Sequence, residues 1–269
     1  MIRVGVIGAC GRMGQLVCRA VAEDPDLALV AAICRSHAGE PIGPRIGHPE
    51  LAGVVLADEL DRLLEAEAEV AVDFTTPAAV RDNVRWVVDH SIHLVVGTTG
   101  LTEEDLRWLE EEVGRAGTDA NVIVAPNFAI GAVLMQRFAA EAARFFPAVE
   151  VIELHHDGKA DAPSGTALAT ARGLAGARRE PYRGPAAENV PGVRGGEVEG
   201  IRVHSVRLPG LVAHQEVILG GPGQVLSIRH DALDRSSFIP GVLLAIKTVS
   251  TRRGLTVGLE PLLADAGLA

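Results

Sequence analysis

Apolar runs of strand length alternate with amphipathic stretches through the first half of the chain: "IRVGVIG", "RMGQLVCRAVAED", "LALVAAIC", "AEVAVDF", "AAVRDNVRWVVDH", "IHLVVGTTG", "TEEDLRWLEEEVGRAG" and "NVIVAPNF". This strand-helix punctuation predicts a parallel sheet with helices on both faces. Thr102, followed by Glu104 and Asp105, marks one helix start. After Phe128 the pattern changes. A long helix, "AVLMQRFAAEAARFF", leads into the strand "AVEVIELHH", the helix "SGTALATARGLAG" and a Gly/Pro/Arg-rich loop from about Arg178 to Gly200. Three strands then follow with little helix between them, "IRVHSVRL", "HQEVILG" and "QVLSIRHD". A second, α+β domain is expected over residues 128–235. The last helix, "SFIPGVLLAIKTVSTR", is expected to return to the first domain, giving it residues 1–127 and 236–269. Domains joined by two crossings can hinge over a ligand.

Composition narrows the class. A length of 269 residues suits one large α/β domain or two unequal ones. Apolar residues make up 48%, yet runs such as Val70-Ala71-Val72 and Leu94-Val95-Val96 are strand-sized, far below the ~20 apolar residues of a membrane span. The first residues enter a strand at once, so no signal peptide is predicted and the expected compartment is the cytoplasm. A formal charge of -10 argues against nucleic-acid and anionic-membrane partners, which need a cationic footprint. An acidic small molecule stays possible where positive groups concentrate locally. Cys10, Cys18 and Cys34 lack C-x-x-C spacing and read as small buried hydrophobes rather than a disulfide frame or zinc site.

"VGVIGACGRMG" places Gly8, Gly11 and Gly14 between the first strand and the first helix. The first spacing is one residue longer than in G-x-G-x-x-G, and such glycines also occur for packing alone. In a strand-helix-strand context they permit a tight turn and close approach of a pyrophosphate to the helix N-terminus. About 20 residues further on, an acid usually holds the adenosine ribose. Here the segment reads "AICRSH", with Cys34 in that place, then Arg35, Ser36 and His37. Arg35 and a hydroxyl favour a 2′-phosphate; as a bare solvated loop residue, Arg35 would do nothing for it. "DFTTP" (Asp73 to Pro77) and "GTTG" (Gly97 to Gly100) also fall at strand ends, where small and hydroxyl residues can approach a nicotinamide or form ordinary capping turns.

The span "ELHHDGKADAPSGTAL", residues 153 to 168, concentrates further chemistry. His155 and His156 are consecutive on a strand and point to opposite faces, which disfavours a shared metal ion. "APSGT" has Ala162 where a G-x-S-x-G nucleophile elbow needs glycine. An anion site accounts for every residue. Ser164 caps a helix, Gly165 and Thr166 open it at its positive end, Lys159 adds a charge, and a histidine supplies a proton donor. The same residues would also make a plain capped helix with a surface lysine and a satisfied histidine pair.

This span resembles the signature of the 4-hydroxy-tetrahydrodipicolinate reductase (dihydrodipicolinate reductase) family of diaminopimelate and lysine biosynthesis, and the similarity extends through "GACGRMG", "DFTTP", "VVGTTG", "APNFAIG" and "VAHQEVILGGPGQVLSIRHDALDR". The resemblance implies a Rossmann-type nucleotide-binding domain, a β-rich substrate and oligomerisation domain, a homotetramer, and NADPH or NADH as cofactor. It makes His155 the general acid and Lys159 a carboxylate anchor with a catalytic role. His156, Ser164, Gly165 and Thr166 complete the carboxylate-binding positions. Gly8, Cys10, Gly11, Arg12 and Met13 fall in the pyrophosphate loop, and Arg35 at the ribose. Phe74, Gly97, Thr98, Thr99, Ala125, Pro126, Asn127 and Phe128 fall on the nicotinamide side, and Arg235 and Phe238 at the second crossing. Hydride would pass from the nicotinamide C4 to the ring C4 of a dicarboxylate imine that has lost its 4-hydroxyl and carries a conjugated C=C, and His155 would supply the proton. Two departures stand out. Cys34 replaces an acid common in the family, so NADPH is expected to serve at least as well as NADH. "GLTVGLEPLL" lacks the family's Asp-Met-Asp pattern, which bears on docking of the last segment. A dehydrogenase of another substrate would share the first domain without explaining the histidine-lysine span. A non-catalytic NADP sensor would not need that span.

Overall fold

The computed structural model describes residues 1–115, 117, 119–178, 184 and 187–265. Much of the loop expected from about Arg178, residues 179–183 and 185–186, lies outside them. The chain forms two compact units, Met1–Phe128 with Phe238–Ala269, and Ala129–Ser237. In chain order the first contains β1 (Ile2–Ile7), α1 (Arg12–Glu23), β2 (Leu27–Ile33), α2 (Gly43–Ile46), β3 (Leu56–Ala57), α3 (Asp61–Glu65), β4 (Val70–Asp73), α4 (Pro77–Asp89), β5 (His93–Val96), α5 (Glu103–Arg115) and β6 (Val122–Val124). The second contains α6 (Ile130–Ala143), β7 (Ala148–His155), α7 (Gly165–Ala177), β8 (Gly196–Val198), β9 (Ile201–Arg207), β10 (Ala213–Gly221) and β11 (Gln224–Ala232). α8 (Ile239–Thr248), β12 (Leu255–Val257) and α9 (Glu260–Asp265) belong to the first.

The first unit's seven strands run in the order β12-β6-β5-β4-β1-β2-β3, and every pairing is parallel. All four positions of β4 and all three of β6 are buried, as strands covered on both faces require. α4 turns Val80, Val84, Val87 and Val88 toward this core, one stripe at helical spacing, and α5 adds Leu109 and Val113. α5 opens on a reciprocal cap. The Asp105 amide donates to Thr102 Oγ1 at 3.2 Å, and the Thr102 amide donates to Asp105 Oδ2 at 2.8 Å. Strand order reverses about β1, with β2 on one side and β4 on the other, so the switch point where open α/β sheets bind ligands lies between β1 and β4.

The last segment, despite its atypical sequence, adds β12 beside β6 and buries Leu259, Leu262 and Leu263. β3, β8 and β12 were not foreseen, because two or three residues are too few to show a period.

The second unit is a five-stranded mixed sheet in the order β11-β10-β7-β9-β8, in which only β7 and β9 pair in parallel. Alternation along β7 buries Val149, Val151 and Glu153. α6 and α7 cover that sheet through Met135, Ala139 and Ala143 and through Ala167, Ala171 and Leu174.

The expectation for the cysteines is overturned: Cys10 and Cys34 form a disulfide. Sequence spacing concealed it. β1 and β2 are parallel neighbours, so their carboxyl ends lie side by side and bring the two Cα atoms to 5.8 Å, within bridging range. Cys18 remains free and buried, and burial pushes its thiol up to about 12.

Gly14, inside α1, offers a test of packing against propensity. A Cβ there would lie 2.1 Å from the Gly8 carbonyl oxygen, a backbone atom that cannot swing aside. Helix propensity alone favours alanine over glycine by about 1 kcal/mol. Gly14→Ala is nevertheless expected to lower the thermal midpoint read by circular dichroism; a raised midpoint would show that the turn can relax.

Candidate active site

In the first unit each loop after a central strand begins by extending the sheet ladder. The Gly8 and Ala9 amides both donate to the Ile33 carbonyl at 3.0 Å, Phe74 to Ile7 at 3.1 Å, Gly97 to Asp73 at 2.9 Å and Ala125 to Val96 at 3.1 Å. The residues marked for a cofactor therefore share the carboxyl edge of one sheet. Gly8 has φ +84°, and a Cβ on it would lie 2.7 Å from the Phe74 carbonyl oxygen, so only glycine fits. The Gly11 amide closes the turn onto the Gly8 carbonyl at 2.9 Å, and Gln15 Nε2 holds the Cys10 carbonyl at 2.9 Å. Gly11 is the N-cap of α1, whose first residues are the exposed Arg12 and half-buried Met13, and no side chain caps that end.

Phe74 lies against Gly97, where a Cβ would approach its ring to 2.2 Å, and its ring centroid is 6.0 Å from that of Phe128. Thr98 is buried, Thr99 and Pro126 are exposed, and Asn127 is half-buried. At the end of β2, Arg35 is exposed and Ser36 Oγ lies 3.5 Å from Cys34 Sγ. His37 instead pairs with Glu40 and Arg45.

One residue that organises this edge was passed over in the sequence. Asp73 is completely buried at the end of β4. Its carboxylate accepts from the Thr75 amide (2.8 Å), Thr75 Oγ1 (2.7 Å), Asn83 Nδ2 (2.7 Å) and Thr98 Oγ1 (3.1 Å). Four donors stabilise a carboxylate that would otherwise be costly to bury, and in return both the "DFTTP" and "GTTG" loops are tied to α4.

In the second unit β7 ends at His155, and His156 opens an exposed turn closed by the Lys159 amide on the His156 carbonyl at 3.2 Å. His155 Nδ1 is hydrogen-bonded to Glu153 Oε2. Burial holds the imidazole below its usual range; Glu153 pulls it upward, and the charges of Lys159 and Arg207 push it down. Lys159 is not a lone charge, since its Nζ donates to Asp161 Oδ1 at 2.7 Å. Ser164, buried, caps α7 by accepting from the Ala167 amide at 3.1 Å. Gly165 and Thr166 occupy the first turn at the helix's positive end. Thr170 Oγ1 donates to the Thr166 carbonyl at 2.8 Å and accepts from Gln215 Nε2 at 2.7 Å, which pins this turn to β10. Sequence reasoning also missed Glu153 and Arg207. The signal for Glu153 was the alternation in "ELHH", which puts it on the same face as His155; Arg207, 54 residues on, had none. Among the described residues, no group of three His, Cys, Asp or Glu side chains could hold a metal ion, and no helix is long and apolar enough to cross a membrane.

A Rossmann-type parallel sheet with a glycine turn at its switch point, combined with a mixed-sheet unit that presents histidine, lysine and a capped helix start, defines a two-domain oxidoreductase class. Residues 2–128 match the family model described as dihydrodipicolinate reductase, N-terminus, and residues 131–263 match that for the C-terminus. The 4-hydroxy-tetrahydrodipicolinate reductase of Nocardia farcinica is 50% identical over 270 residues, covering 97% of this chain and 98% of the relative. That of Mycolicibacterium smegmatis is 49% identical over 264 residues, covering 97% and 99%. The solved dipicolinate-bound dihydrodipicolinate reductase from Paenisporosarcina sp. TG-14 has a TM-score of 0.84 at 40% identity, covering 97% of this chain and 99% of that one. The chain belongs to the dihydrodipicolinate reductase family.

Asp73→Ala is expected to lower stability by about 1–3 kcal/mol for each buried donor left unpaired. Urea unfolding checks it, with Thr76→Ala, at an exposed position of the same loop, as the control. An Asp73→Ala midpoint equal to wild type would mean that water replaces the carboxylate without cost.

Proposed function

We propose that this protein catalyses the NAD(P)H-dependent reduction of 4-hydroxy-tetrahydrodipicolinate to tetrahydrodipicolinate, in diaminopimelate and lysine biosynthesis. The observation that carries it is the 153–168 span, where Glu153 and Arg207 link His155 by hydrogen bonds to the Lys159–Asp161 pair, and where Ser164 caps the start of α7. Relatives 48–50% identical over nearly their whole length bear the name of this reductase, and the solved relative binds dipicolinate, a planar dicarboxylate.

The first unit's loops suit a dinucleotide. The turn at Gly8 has no room for a Cβ, and the amide end of α1 lacks a side-chain cap, as a site for a pyrophosphate requires. Gly8, Cys10, Gly11, Arg12 and Met13 would hold that group, Arg35 the ribose end, and Phe74, Gly97, Thr98, Thr99 and Ala125 to Phe128 the nicotinamide. When bound, the reduced nicotinamide supplies a hydride to a ring whose 4-hydroxyl has already left as water. In the second unit Lys159 and the positive end of α7 at Ser164, Gly165 and Thr166 hold a substrate carboxylate, with His156 beside them. Lys159 exchanges Asp161, an exposed partner, for that carboxylate. His155 donates the proton that completes reduction. A dianionic substrate favours imidazolium, which offsets the effect of burial on His155. Assembly as a homotetramer through the second unit's sheet belongs to the same proposal, and light scattering tests it.

Lys159→Ala is expected to cost on the order of 2–5 kcal/mol in kcat/KM while leaving cofactor binding intact. His155→Gln is expected to lower turnover ~10²-fold or more, with substrate affinity little changed. A proton donor works only while protonated, so activity falls as pH rises through its pKa. The basic limb of kcat/KM, set by the free enzyme, is expected at lower pH than the basic limb of kcat, set by the complex. Near-normal kinetics in both variants would remove the assignment.

The cofactor preference follows from the end of β2. Cys34 cannot bind ribose hydroxyls as a carboxylate does, so NADPH is expected to serve at least as well as NADH. Arg35→Ala should weaken NADPH selectively. Because Cys34 is bonded to Cys10, Cys34→Glu is compared with Cys34→Ser, which also breaks the bond but places no charge at that position. Relative to that control, Cys34→Glu should shift kcat/KM toward NADH. A strong wild-type preference for NADH, with Arg35→Ala affecting both cofactors equally, would overturn the reading of this edge.

A further inference from the structure

A buried carboxylate two residues before the histidine has no part in the chemistry described so far. Glu153 is fully buried in β7, in register with Ser205 on β9 and Gln215 on β10. Arg207, at the end of β9, grips it with two bonds, Nη2 to Oε1 at 2.8 Å and Nη1 to Oε2 at 3.1 Å. Glu153 Oε2 is also bonded to His155 Nδ1. Arg207 reaches further, donating to the Asp161 carbonyl at 2.7 Å and the Val206 carbonyl at 2.8 Å. One guanidinium thus joins the histidine's partner to the residue that pairs with Lys159.

We infer that Glu153, clamped by Arg207, is a positioning residue for His155: it holds the proton on Nδ1 and makes Nε2 the nitrogen that delivers the catalytic proton. The inference rests on His155 being the proton donor. An ionised carboxylate only accepts, so a hydrogen bond between it and Nδ1 requires hydrogen on Nδ1 in both the neutral ring and the imidazolium. The proton that leaves is then the one on Nε2. Burial favours the neutral acid of Glu153, but the Arg207 and Ser205 bonds and the charge of His155 outweigh it and hold the group below the usual carboxylate range. The charged groups around His155 are therefore Glu153 on its own strand, Arg207 on β9, and the Lys159 and Asp161 pair in the following turn. Glu153 is the anion bonded directly to the ring. A carboxylate with no role beyond joining β7 to β9 would not influence which ring nitrogen carries hydrogen.

The test combines kinetics with 15N NMR of imidazole-labelled protein, using His155→Gln to assign the His155 signals. In wild type the neutral His155 ring is expected as the Nδ1-H form, and in Glu153→Gln as a mixture with the Nε2-H form. Turnover of Glu153→Gln should fall at least about tenfold, within the ~10²–10⁴-fold that general-acid catalysis contributes. Binding of pyridine-2,6-dicarboxylate should change less than about twofold, because the groups that hold carboxylate remain. Removing the anion next to the ring lowers the His155 pKa, so the basic limb of kcat/KM should move to lower pH. Glu153→Asp, which keeps the charge, should recover part of the turnover. Wild-type turnover and pH profile in Glu153→Gln, alongside an impaired His155→Gln, would overturn the positioning role and leave the acid assignment standing. Full activity in His155→Gln would overturn both. Should Glu153→Gln fail to fold, the wild-type NMR still decides, since a dominant Nε2-H form there excludes the proposal.

Discussion

The first unit depends on one constraint: in an all-parallel sheet every strand ends on the same edge, where backbone groups run out of ladder partners within a few residues of each other. Asp73 meets that demand at the middle of the edge. It sits on β4, beside β1 at the reversal of strand order, and its carboxylate takes donors from two successive loops and from α4. The loops can then be built from small and hydroxyl residues without collapsing onto the core. Gly8, Gly97 and Phe74 fit one another so closely that no side chain could be added at either glycine. A surface shaped by backbone suits a ligand recognised through close approach rather than through many side-chain charges, consistent with a chain of net charge -10.

The second unit solves a different problem, that of keeping charged groups in place inside a largely apolar layer. Period-two alternation makes the same face of β7 bury Val149 and Val151 and then carry Glu153 and His155. Pairing with β10 on one side and β9 on the other locks that register, because a slip by one residue would send Glu153 to the opposite face. The aliphatic core under α6 and α7 thus aligns the polar end of the strand.

Features with local causes were legible in the sequence. Continuous apolar runs announced the parallel strands, the valine spacing of α4 announced its buried face, and "PSGT" announced the cap that Ser164 makes. Features that need the chain to return on itself were not. Glu153 is fully buried yet ionisable, so a reading that equates burial with apolarity passes over it. Its partner Arg207 lies 54 residues away, reachable only once β9 pairs with β7. Asp73 draws donors from 2, 10 and 25 residues along the chain, which no spacing rule describes. The cysteines fail in the same way, since the pairing of β1 with β2 brings them together and spacing alone does not.

That covalent tie settles how the chain meets electrophiles. Cys10, within the glycine turn, and Cys34, just after β2, are bonded to each other and present no thiol. Cys18, the third, is fully buried in α1, and its thiol is pushed up to about 12, so at neutral pH almost none of it is thiolate. With the bond intact, alkylating agents and peroxides find no cysteine thiolate to attack.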